Sequence, residues 1–132
     1  MRTMKELMDL VQKLIKYQSL TEEEKSMVCS EYELNAIDLE QLSESVSMII
    51  LASNKELNDA EIMLRLGKKL DNARIKRGYF TMSRDSFDLN DEELVEVKDQ
   101  IKKSESEIKI YERFFGEEVP SQENAQIKKW LY

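Results

Sequence analysis

Leu94, Val97, Ile101, Ser104, Ile108, Tyr111 and Phe115 recur at alternating steps of three and four, a heptad seam with one polar position. No glycine or proline interrupts residues 91–115. A helix over that span is about 37 Å long at 1.5 Å per residue. The chain has 132 residues, and a compact domain of that size is itself only about 35–40 Å across. Such a helix needs an equally long neighbour, either another helix of the same chain or its counterpart in a second copy. That requirement alone excludes most architectures.

The remaining residues also read as helix. Three glycines (Gly67, Gly78, Gly116) and one proline (Pro120) supply too few turns for a sandwich or barrel. Met4, Leu7, Met8, Val11, Leu14 and Ile15 follow the spacing of one helical face, giving a first helix over about residues 2–18. Thr21 with Glu24 forms a capping box, in which each side chain satisfies the other residue's free N–H. It opens a second helix with Met27, Val28 and Tyr32 inward. A third runs from about Asn35 to Ser53 with Leu39, Leu42, Val46, Ile49 and Ile50 on one side. The break between these two is weakly marked, so a single bent rod stays open.

Asn58 and Glu61 open a fourth helix carrying Ile62, Met63, Leu66, Leu70 and Ala73. Gly78 accepts the left-handed conformation that ends helices, yet Phe80 and Phe87 roughly continue the stripe, so both a stop and a continuation are open. Asn90 and Glu93 begin the fifth helix and Gly116 ends it. Beyond Pro120 and Ser121, a short sixth element presents Ile127, Trp130 and Leu131. The expectation is an all-α bundle of five or six helices, one domain over residues 1–132, with a long antiparallel hairpin of the fourth and fifth. Ile110 and Phe114 leave apolar area beside the fifth helix's seam, which points to a homodimer.

Charge is segregated along the chain. Residues 21–61 carry eleven acidic and two basic side chains, residues 62–84 carry seven basic and one acidic, and residues 85–97 carry six acidic and no basic ones. The basic helix either pairs with its acidic neighbours or meets a partner. The net charge of −7 repels a polyanion at long range, which disfavours nucleic acid and favours protein. Leu66 to Gly78 resembles the first helix of the Cro/repressor-type helix-turn-helix family, over 13 residues. The resemblance implies a turn and a recognition helix next. The chain supplies Tyr79 to Asp85 and then a strongly acidic segment, which would face phosphates badly.

Enzymatic chemistry finds little support. Histidine is absent, removing the commonest general base and metal ligand. Cys29, the single cysteine, lies among Glu24, Glu31 and Glu33, which disfavour its thiolate. Glu93 and Glu96 match half of the paired acidic motifs of helical nucleotide pyrophosphatases, but the second half does not follow. The acids from Asp85 to Asp91 lack the ligand spacing and glycine of a calcium loop. Neither a metal nor a cofactor is expected. No apolar run approaches the roughly 20 residues that cross a bilayer. Lys5, Glu6, Asp9 and Lys13 break the apolar start of the chain, unlike a secretion signal.

These features lead to a non-enzymatic, cytoplasmic protein-binding module, acting as a regulator, inhibitor or assembly factor. Its size and composition suit an accessory protein of bacteria, phages or mobile elements. A DNA-binding regulator using residues 65–84 is the alternative, and a carboxylate-metal hydrolase the second. Arg74, Arg77, Tyr79, Phe80, Met82, Arg84 and Phe87 fall within fourteen residues, combining aromatic and arginine anchors. Arg77, Tyr79 and Arg84 are the expected partner-binding residues, since no core position accounts for them.

Overall fold

Each helix starts where a side chain can take up its free N–H groups. The computed structural model describes residues 1–117. It contains α1 (Met4–Ile15), a 3-10 turn (Tyr17–Ser19), α2 (Glu22–Tyr32), α3 (Ala36–Ala52), α4 (Asp59–Ser86) and α5 (Asp91–Phe115). Thr3, Thr21, Asn58 and Asn90 form reciprocal capping boxes with Glu6, Glu24, Glu61 and Glu93. Asn35 caps α3 by accepting the Asp38 N–H. The first helix therefore begins at Met4, because Thr3 is its cap. Glu33 adopts a left-handed φ of 55° between α2 and α3, so these are two helices and not one bent rod. The expected sixth element with Ile127, Trp130 and Leu131 lies outside the described residues.

Helices α4 and α5 pack along one another as the long hairpin. Helix α4 runs straight through Gly78 to Ser86, so the stop at that glycine does not occur. Nor does a helix-turn-helix form there. At the other end of the hairpin the Phe115 ring lies beside Gly67, where a Cβ would sit in ordinary contact at 3.6 Å.

One core gathers residues from all five helices. Leu10, Val11, Leu14, Leu39, Leu42, Val46, Ile62, Leu66 and Phe114 are its largest fully enclosed side chains. The position of Phe114 corrects the reading of α5. It is 0 % exposed and Ile110 packs partly buried against the same core, whereas Phe115, the expected seam residue, is only half-buried. The last turns of α5 meet α3 as well as α4, so the apolar face there is wider than a two-helix seam. Of the area from which a homodimer was expected, Phe114 is thus covered within the chain and Ile110 partly so. Met27, expected inward on the second helix, is exposed.

Arg2 ties the ends of two helices. Its Nε donates to Phe114 O at 3.0 Å, and its Nη2 donates to Tyr32 O at 2.5 Å and to Arg113 O at 3.0 Å. Its own backbone N–H donates to Phe115 O at 3.2 Å. The guanidinium therefore serves carbonyls at the C-terminal ends of α2 and α5, where a cation is favoured by the helix dipole. It also lies 5.2 Å from the centre of the Tyr32 ring, whose hydroxyl donates to Asp9 of α1. Burial, followed by this contact with Asp9, raises the Tyr32 pKa. Nearby, Arg113 donates to both oxygens of the buried Asp38 at 2.9 and 3.1 Å. That ion pair fixes α3 to α5.

Gly116 has φ 71°, and a Cβ there would lie 2.6 Å from Arg2 Cγ. Gly116→Ala combines backbone strain with a collision, and Arg2→Ala removes charge-assisted hydrogen bonds. Each is expected to lower the unfolding free energy by about 1–3 kcal/mol, read by urea denaturation. A second expectation concerns acid. Backbone hydrogen bonds from Thr3 and Thr21 hold Glu6 and Glu24 below the ordinary value of 4.5, and the Lys55 side chain followed by the Asn58 N–H does so for Glu61. A carboxylate lowered in the folded state adds stability that is present above its unfolded pKa and lost as pH falls through the folded one. The melting temperature should therefore hold above the ordinary value and fall below it, less steeply in a Thr21→Ala, Glu24→Gln variant.

Candidate functional site

The core divides the hairpin in two. No residue of the core cluster lies beyond Ala73 in α4 or before Ile108 in α5. Past those points the two helices bury only Ser83, Ile101 and Ser104. Residues 74–107 thus form a two-helix arm continuing from the five-helix body. Ser83 turns its hydroxyl back to Tyr79 O at 2.9 Å, so it places no unsatisfied polar group in the seam. The connection at the tip starts with Phe87, which is 56 % exposed.

An apolar stripe runs along the outside of the arm. Ile75, Tyr79 and Met82 are 68, 56 and 54 % exposed and stand at i, i+4 and i+7, one face of α4. Core-facing Leu66, Leu70 and Ala73 define the opposite face. The stripe is continued toward the body by exposed Leu64. Beside that end, Leu64, Gly67, Lys68, Asp71 and Phe115 border a shallow groove of about 450 Å³. Tyr79 and Phe80 contact edge to face, with ring centres 5.3 Å apart.

The expected site residues fall on two faces. Tyr79 belongs to the outer stripe. Arg77 and Arg84 lie seven positions apart on the side nearer α5, where Arg77 is half-buried. Arg84 donates from Nε to Asp85 Oδ1 at 3.0 Å; this bond, with Glu105 of α5 also contributing, raises its pKa. Arg74 bridges Glu112 at 3.3 Å and Glu117 at 3.0 Å. The basic stretch is therefore partly matched by acids of its own chain.

Ile75 is the residue that sequence reasoning missed. It lies off the seam, and its signal was a second apolar repeat with Tyr79 and Met82, about half a turn from the first.

The sites considered for other chemistry have local explanations. The Glu93 carboxylate accepts the Asn90 N–H at 3.2 Å as part of the α5 cap. Among the described residues, no three His, Cys, Asp or Glu side chains come together as a metal site requires, and no helix is long and apolar enough to cross a membrane. Comparisons with protein-family models, with curated proteins and with solved structures find no match.

Burial, followed by the charge of Asp38, pushes the Cys29 thiol pKa up. Its thiolate population at neutral pH is thereby reduced. Native protein should react with a disulfide reagent at least about tenfold more slowly than a free thiol, with urea restoring the ordinary rate.

Proposed function

We propose that this chain is a non-enzymatic binding module that acts on another protein through its two-helix arm, as a regulator, inhibitor or assembly factor. The observation that carries this reading is the apolar stripe of Ile75, Tyr79 and Met82, together with Phe87 at the tip, left exposed on an arm whose other face is closed by α5. Stripes of this spacing are how helices dock on helices. Tyr79 supplies a rigid aromatic anchor, and Arg77 and Arg84 supply charge on the side nearer α5. A cytoplasmic setting and the role of a bacterial, phage or mobile-element accessory protein remain part of this proposal, resting on composition and charge. Arg74 and Arg84 already meet acids of their own chain, which weakens residues 65–84 as a phosphate-binding face.

A photocrosslinking amino acid placed at Phe87 in the host cells should capture a protein, while the same group at exposed Lys5 on the body should not. Changing Arg77, Tyr79 and Arg84 together to alanine should lower that capture at least about tenfold without moving the melting temperature. Undiminished capture by a fully helical triple variant rejects the site, and the acidic faces of α2 and α3 become the place to look.

A further inference from the structure

Gly78 has no role within the described chain. A helix-interior glycine weakens its helix relative to alanine, yet Gly78 needs no positive φ, and no atom within 4 Å would meet a Cβ there. Gly67, by contrast, has the Phe115 ring beside it. Gly78 is exposed and lies between Ile75 and Met82, next to Tyr79, on the outer stripe of α4. A residue without a side chain at the middle of an exposed apolar stripe permits the close approach of another helix.

We propose that this helix is α4 of a second copy, packed antiparallel about a two-fold axis that passes beside Gly78 and Tyr79. The proposal rests on reading the arm as a binding surface and names its occupant. In an antiparallel pair, positions facing each other add to a constant. Setting Tyr79 opposite the partner's Tyr79 places Ile75 within one position of the partner's Met82, and Met82 within one position of the partner's Ile75. The stripe is thus complementary to itself, as an isologous two-fold contact requires.

Two other features fall into the same register. Arg74, which already bridges Glu112 and Glu117, comes within one position of the partner's Asp85 on the same flank of the stripe, so the register brings opposite and not like charges together there. The partner's Phe87 comes level with Asp71 along the helix, where the groove bordered by Leu64, Gly67 and Phe115 begins. The contact spans residues 71–87 of both copies, about 24 Å of helix. The two bodies lie at opposite ends, clear of one another.

Sedimentation equilibrium of the full chain at about 200 µM tests this by mass action. The wild type should appear at twice its chain mass of 15.6 kDa. Ile75→Glu with Met82→Glu should sediment as the single chain with its helical circular dichroism unchanged. Gly78→Gln should raise the dissociation constant at least about tenfold while favouring the helix intrinsically, so a loss of dimer there cannot come from a loss of helix. If the double variant loses helix, Gly78→Gln decides alone. A wild type at 15.6 kDa, or variants that pair as the wild type does, overturns the proposal. The crosslinker at Phe87 separates the two readings. A product joined to residues 64–71 of a second copy supports this one. Capture of a different protein by a single-chain wild type overturns the second copy and leaves the binding arm standing. Capture of nothing removes both.

Discussion

The length of the α4–α5 hairpin governs what every other helix can do. Its helices have 28 and 25 residues, while α1, α2 and α3 have 12, 11 and 17. Three short helices cannot cover two long ones from end to end. They collect at one end, where Ile62 to Ala73 and Ile108 to Phe114 complete a shared core. The remaining length has only a two-helix seam with small polar residues in it. Local stability follows the density of buried apolar contacts, so the arm is the softer half of the molecule. The exposed stripe is a direct result of the same mismatch, because a helix with one neighbour keeps most of its surface.

Helix boundaries were legible because capping is local chemistry. A Thr or Asn three residues before a Glu needs nothing else to declare itself, and Thr21, Asn58 and Asn90 did so. Thr3 and Glu6 carry the same pattern, masked by a stretch that already reads as helical. Gly78 was ambiguous because its local preference and the demands of the hairpin oppose one another, and α5 lying alongside decided the matter. The exchange between Phe114 and Phe115 has a different cause. A heptad presumes one partner, and the end of α5 has more than one.

Long-range polar contacts left no trace in the sequence pattern. Asp38 looked like one more acid near a helix start, and its partner Arg113 stands 75 positions away. Of the expected site, Tyr79 was legible as an aromatic residue off the seam, and its neighbours on the stripe followed only once α4 was continuous. Arg77 and Arg84 stand out in the sequence because no core position explains them. The structure half-buries the first and gives the second an aspartate. Charge blocks along the chain in part reflect two antiparallel helices of opposite sign lying side by side.

The contacts of Arg2 bear on the order in which the chain assembles. Arg2 Nε meets Phe114 O across 112 positions, whereas the hairpin joins segments that follow one another. Closing so long a loop is entropically unfavourable until much of the intervening chain is already in place. Helix α1 has 12 residues, near the length at which an isolated helix is marginal in water. It is synthesised before α5, yet carbonyls that hold Arg2, just ahead of it, belong to the last turn of α5. The start of α1 is therefore a latch that closes only when the last turn of α5 is in place.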